Sequence, residues 1–320
     1  MDEAKYSEAL DWQLKLAQFW LSEAGKEKLQ VIYNQQGKGA QFATRNEPIF
    51  AIPLMSGECY YWSEPICDLV WSASQSLPST WALNPQALPA PCGFFWLTMP
   101  IRHHASSWPI RAISWLPMIH PTGTERNLTI IGPEGEGPPF IFGRPSISLD
   151  QLKPGDRIGI TFFLGGDVSP LPIPMTIFLW PVETNLATCE KRLRDEHVGK
   201  PEAAQIKLKL FASMLAFLQQ RILIPFRQRA ARPVCRRFAK SFPDREPTVG
   251  IIKLREMARR HETGESRVVE WSCRWLVRGY WRNQWYPSHK YHRPKWIAPY
   301  LKGPEDKPLR NPGRLFAVIR

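Results

Sequence analysis

The stretch IGITFFLGGDVSPLPIPMTIFLW, Ile158–Trp180, is the most apolar in the chain. Gly165, Gly166, Asp167, Pro170, Pro172 and Pro174 interrupt it, whereas a membrane-crossing helix needs about 20 consecutive apolar residues. What remains is two apolar runs of strand length, Arg157–Leu164 and Met175–Trp180, separated by turn formers. The same texture continues outward in Phe94–Ile101, Ile110–Ile119 and Leu128–Ile131. With 31 prolines in 320 residues, short strands and irregular connections are favoured over long helices. Residues 40–182 are therefore predicted to form a β-rich body built on one twisted antiparallel sheet. The loop Gly132–Pro139 reads as a long turn, and its glycines do not match a phosphate-cradling fingerprint.

Helical spacing appears on either side of this body. Leu10, Leu14, Ala17 and Leu21 line one face of a predicted helix over 5–33, with Gly37 and Gly39 ending it. Residues 201–224 carry Pro201 in the first turn and an apolar stripe of Ile206, Leu210, Met214, Phe217 and Leu218, with Pro225 as a stop. Residues 227–247 are basic and irregular and read as a solvated connection. The chain is thus expected to be α+β, with a β-rich body and N-terminal helix over 1–200. A helix and basic connection follow over 201–247, then a small basic, Trp-rich β module over 248–320.

Charge is unevenly placed. Hydrophobic content of 43% and charged content of 22% suit a folded protein. The net charge is +13, yet residues 221–320 alone hold 24 Lys/Arg against 8 Asp/Glu. A nearly neutral body with a basic final third implies a localised anionic partner, most plausibly nucleic acid. The six cysteines include no C-x-x-C pair, which disfavours a zinc site. The acidic, amphipathic start MDEAKYSEALDWQ has no secretory pattern, so a reduced, cytoplasmic setting is expected. No cofactor or metal is expected, nor a membrane partner. His103-His104 makes a poor metal site, because neighbours on a strand point apart.

Residues 267–300, RVVEWSCRWLVRGYWRNQWYPSHKYHRPKWIAPY, concentrate the functional signal. From Trp271 to Tyr300 there are nine Trp or Tyr, six Arg or Lys, and no Asp or Glu. Cations interleaved with flat rings suit a surface that follows a phosphate backbone and stacks exposed bases. A small β module with a tryptophan core and a wet arginine face fits the same residues. Strand alternation would give Trp271, Cys273, Trp275 and Val277 one face and Arg274 and Arg278 the other. If the strand continues past Gly279, Tyr280 and Arg282 join the arginine face, a row able to bind phosphates bidentately. Trp281, Trp285, Tyr286 and Tyr291 are candidate base-stacking residues, and Trp271 and Trp275 the expected core members. A turn is expected at Tyr286-Pro287-Ser288, with further strands over Pro294–Ala298 and Leu315–Ile319. The expected nucleic-acid-binding set is Arg274, Arg278, Tyr280, Trp281, Arg282, Gln284, Trp285, Arg293 and Lys295. His289 and His292, near Arg293 and Lys295, are weaker candidates for phosphodiester chemistry.

The run Trp275-Leu-Val-Arg278-Gly279-Tyr280-Trp281-Arg282-Asn283-Gln284-Trp285, followed by His292-Arg-Pro-Lys-Trp296-Ile-Ala-Pro299-Tyr300, resembles a family without an assigned activity that actinobacterial genomes, phages and plasmids carry. More remotely it is similar to the C-terminal domain of the type V-A anti-CRISPR protein that represses production of its target nuclease. That domain carries Arg-Arg-Gly-His-Trp-His-x-Tyr-Trp; Arg278, Gly279, Trp281 and Trp285 match it, and Tyr280 and Arg282 stand where it has histidines. Leu77–Ile101 is a looser echo. The resemblance implies an accessory protein of a mobile element or its host, one that engages a nascent polypeptide and the message being translated. The leading expectation is a non-catalytic, nucleic-acid-binding regulator or inhibitor, with RNA favoured over DNA and a nascent chain or ribosome-associated complex as a further partner. The alternatives are an RNA nuclease using His289 or His292, and a peptide-recognition module for a nascent chain.

Overall fold

The computed structural model describes residues 3–35, 49–104, 106–119, 141–142, 149–154, 156–166, 169–195, 201–220, 223–254, 272–277, 279–288, 291–304 and 307–308. Gly37, Gly39, Leu128–Ile131, the loop Gly132–Pro139, Trp271, Arg278, His289 and Leu315–Ile319 lie outside the described residues. The side chain of Arg293 does too.

The single N-terminal helix predicted over 5–33 is two helices, α1 (Glu3–Trp20) and α2 (Glu23–Gln35). Ser22 breaks them apart and caps the second, its Oγ accepting the Gly25 N–H at 3.2 Å. A Cβ on Gly25 would stand 2.0 Å from the Phe19 carbonyl oxygen, so only glycine lets the chain double back this closely. Helix α3 (residues 49–56) leads into β1 (Glu58–Trp62). Helix α4 (Glu64–Ser74) follows, with Pro65 pre-setting its first turn. Strands β2 (Gly93–His103), β3 (Ser106–Ile119), β4 (Ile141–Phe142), β5 (Arg157–Gly166) and β6 (Ser169–Pro181) come next. After α5 (Leu186–Asp195) and α6 (Pro201–Leu218) the chain runs through β7 (Leu223–Arg229), α7 (Arg232–Ser241) and β8 (Thr248–Leu254).

One sheet takes the order β6-β5-β3-β2-β1-β8-β7, with β4 paired beside β3. The apolar runs at Phe94–Ile101, Ile110–Ile119, Arg157–Leu164 and Met175–Trp180 fall in β2, β3, β5 and β6. Those four strands pair antiparallel as predicted. The all-antiparallel expectation is corrected at the centre: β1 runs parallel to β2 and to β8. Helix α4 and the chain after it supply the long crossover that parallel strands require. Strand β6 is an edge, which explains its composition. Prolines at the alternate positions 170, 172 and 174 remove N–H donors from one side of the strand only.

Two sequence readings change here. Residues 227–247 are not a loose connection: they contain the end of β7 and the whole of α7. Val249–Leu254, read as the start of the C-terminal module, belongs to β8, an internal strand of the main sheet between β1 and the edge strand β7.

Helices cover both sheet faces. On one face Tyr6 and Trp12 of α1 meet Tyr61 and Trp96, at ring separations of 5.1 and 5.0 Å. On the other, Phe211 of α6 packs against Phe95 and Trp115. Burial from both sides is why β1, ECYYW, reads as a continuous apolar strand without alternation. The remaining strands form two small pairs: β9 (Trp275–Val277) with β12 (Tyr300–Lys302), and β10 (Tyr280–Tyr286) with β11 (Tyr291–Ile297). The architecture is α+β, with the expected small C-terminal β module present.

Candidate nucleic-acid interface

Strand parity decides which C-terminal side chains face out. In the β10–β11 hairpin, Tyr280 lies opposite Ile297, Arg282 opposite Lys295, Gln284 opposite Arg293, and Tyr286 opposite Tyr291. Directly paired residues share a face, so this set forms one side of the ribbon. The other side pairs Trp281 with Trp296, Asn283 with Pro294, and Trp285 with His292.

The second side anchors the hairpin. Trp281 and Trp296 are buried and pack edge to face at 5.3 Å, each against Phe217 of α6, at 5.1 and 5.4 Å. The Trp281 indole N–H donates to the Ala73 carbonyl oxygen of α4 at 3.1 Å. Gln220, just past α6, donates to the Pro294 carbonyl at 3.2 Å and accepts the Trp296 N–H at 3.4 Å. The assignment of Trp281 to base stacking is therefore corrected: its ring is sealed between helices and reaches no ligand. Of the two expected core members, Trp275 is only half-buried, and Trp271 lies outside the described residues.

On the first side Tyr280, Arg282, Tyr291 and Lys295 are exposed. Arg282 and Lys295 stand opposite each other in solvent, and among the described residues neither forms an ion pair. Arg282 hydrogen-bonds the Gln284 side-chain oxygen, and Gln284 donates onward to the Trp285 carbonyl at 3.0 Å. This chain steers the guanidinium along the ribbon without neutralising it. Rings bracket the two cations: Tyr280 at one end, and Tyr286 and Tyr291, 6.3 Å apart, at the other. Trp285 is 43% exposed and lies 4.9 Å from the His292 ring, where the hairpin reaches past α6. Of seven exposed large hydrophobic side chains among the described residues, five, Tyr280, Trp285, Tyr291, Tyr300 and Leu301, are on these two strand pairs. Such clustering marks a contact surface rather than scattered exposure.

No family model matches the chain, and no curated protein does. Among solved structures, the crystal structure of AcrVA2 matches over 92% of this chain and 94% of its own, at a TM-score of 0.39 and 11% identity. A likeness at that level transfers neither residues nor activity.

The predicted arginine row does not form along one strand. Arg274 precedes β9, which pairs with β12, whereas Arg282 is on β10, so the two belong to separate strand pairs. Arg274 fastens the chain that follows β12: its Nε donates to the Lys307 carbonyl at 3.1 Å and its backbone N–H to the Pro308 carbonyl at 2.8 Å. Arg278 and His289 lie outside the described residues. His292 is exposed on the side opposite Arg282 and Lys295, against Trp285. The cations that would hold a phosphate and the imidazole that would act on it thus face apart. Tyr286 and Tyr291 complete the aromatic bracket although the narrower set of expected binding residues omitted both. Alternation from Arg282 would have placed Tyr286 on its face; finding Tyr291 needed the hairpin register. Among the described residues no group of three or more His, Cys, Asp or Glu is placed to hold a metal ion, and no described helix is long and apolar enough to cross a membrane.

Proposed function

We propose that this protein is a non-catalytic nucleic-acid-binding regulator whose β10–β11 ribbon is the contact surface. The observation that carries this reading is the outward face on which Arg282 and Lys295 stand unneutralised between Tyr280 and the Tyr286–Tyr291 pair. Arg282 and Lys295 take phosphates and the tyrosines on their side take the faces of unpaired bases; Trp285, exposed on the opposite side near the turn, takes a further base where the strand wraps round the tip. Rings at a projecting tip favour single strands, which supports RNA over duplex DNA, because paired bases are stacked out of reach. The motif at 275–300 supports a message-directed inhibitor of the mobile-element kind, acting in the cytoplasm. The separation of His292 from the cations favours binding over cleavage.

Filter binding of a labelled single-stranded RNA at two salt concentrations tests the reading. Arg282→Ala and Lys295→Ala should each weaken binding and reduce the slope of log K against log salt by about 0.7. Unchanged affinity and slope in both variants would remove the ribbon as the site. RNA cleavage that disappears in His292→Ala would replace the binding reading with a nuclease.

A further inference from the structure

Residues 227–241 hold six Arg or Lys and no Asp or Glu, and the fold uses them in two different ways. Arg227 pairs with Glu58, and Arg237 donates to Asp11 of α1 at 2.5 Å. Arg229 on β7 and Arg232, Arg236 and Lys240 on α7 are exposed and have no ion pair among the described residues. On α7 Arg232, Arg236 and Lys240 recur every fourth residue, so they fall within about 80° of one another around the axis and span about 12 Å along it. The buried residues Val234 and Phe238 point about 180° away from their mean direction. The stripe is thus the outermost line of the helix.

Helix stability is a poor reason for it. Like charges four residues apart repel, by about 0.2–0.5 kcal/mol per pair, and the stripe contains two such pairs. Arg232 adds a cation at the first helical position, against the dipole, and Ala231 provides no side-chain cap. A face kept only for solubility would mix signs. The stripe also contains no ring or aliphatic side chain, so a protein partner would find no core to bury there. A bare row of cations fits a phosphate backbone, which is contacted for position rather than sequence.

We infer that α7 is a second nucleic-acid contact, binding the phosphate backbone through Arg232, Arg236 and Lys240. Because α7 packs on α1 and the C-terminal hairpin packs on α4 and α6, the two contacts lie over opposite faces of the main sheet. The α7 contact stands on its own residues, and shares only the ligand class with the ribbon reading.

The test compares the triple variant Arg232→Gln, Arg236→Gln, Lys240→Gln with the double variant Arg282→Ala, Lys295→Ala, using fluorescence anisotropy on a labelled uridine homopolymer. Glutamine keeps helix propensity, and circular dichroism confirms the fold. The triple variant should bind at least tenfold more weakly at low salt and lose about 2 from the salt slope. The charge-keeping variant Arg232→Lys, Arg236→Lys should retain binding, and a tenfold loss there would overturn a contact made through charge. Unchanged affinity and slope in the triple variant overturn the α7 contact, whatever the ribbon variant does. Loss in the triple variant with normal binding in the double variant upholds α7 and overturns the ribbon. If polyaspartate displaces the RNA charge for charge, the nucleic-acid assignment of α7 is overturned in favour of an acidic polypeptide.

Discussion

The indole N–H of Trp281 donates to the carbonyl oxygen of Ala73, 208 positions earlier, at 3.1 Å. This bond, with the rings of Phe217 and Trp296 around it, fastens the C-terminal hairpin to the α4–α6 pair. Trp281→Ala is expected to cost about 3–5 kcal/mol, read as a lower urea midpoint. Trp281→Phe retains a ring and forfeits the N–H donor, at about 1 kcal/mol. A Trp281→Ala protein as stable as the wild type would show that the hairpin is not anchored there.

Trp285 lies four residues further along the same face and behaves oppositely. Trp285→Ala should change folding stability by no more than about 0.5 kcal/mol. Binding to single-stranded RNA should fall by about 1–3 kcal/mol, about fivefold to 150-fold. Trp285 fluorescence should also be quenched as bases stack on it. Full RNA affinity in the variant would exclude Trp285 from the interface.

Gly279 matters for space. A Cβ there would lie 2.5 Å from Trp296 Cζ2 and 2.9 Å from Pro299 Cδ, and the Trp296 ring is buried and packed between Phe217 and Trp281. Gly279→Ala should destabilise the hairpin by about 1–3 kcal/mol, seen as faster limited proteolysis between β9 and β12. RNA binding should weaken with it, since the ribbon is then misplaced. A protease-resistant, fully active variant would contradict this.

His103 makes stability depend on pH. It is buried beside Trp71, and neither ring nitrogen has a hydrogen-bond partner among the described residues. Burial first, then the positive charge of Lys207 and of His104, pushes its pKa from 6.5 down to about 4, with Glu202 acting weakly in the other direction. The unfolded chain therefore binds this proton more readily, so the stabilisation is complete above about pH 6.5 and is lost as pH falls towards 4. Between pH 7 and 4.5 the loss should be about 2 kcal/mol. His103→Leu should remove that part of the pH dependence. A variant whose urea midpoint falls with acid as steeply as the wild type would rule His103 out as the source.

What the sequence reveals depends on how local the deciding contact is. The strands β2, β3, β5 and β6 are legible because short apolar runs and turn residues declare themselves within ten positions. The parallel pairing of β1 is not, because its partners begin 35 and about 190 residues later. Likewise α7 is disguised by its charge: only Val234 and Phe238 are buried in it, too few to show helical periodicity. The basic, aromatic character of the C-terminal hairpin is visible in its composition, and parity correctly groups Tyr280 with Arg282. Parity cannot separate Trp281 from Trp285, which share a face. The difference is made by where α6 ends, at Leu218, leaving one indole over the helix and the other beyond it.

The position of β8 has an implication for synthesis. Strand β1 is flanked by β2 on one side and β8 on the other, so once β2 has been made, at His103, a growing chain carries a half-satisfied strand. That strand has no second neighbour until Leu254 has left the ribosome. A nascent chain arrested before that point exposes an apolar backbone edge, which a chaperone must shield or another copy will occupy.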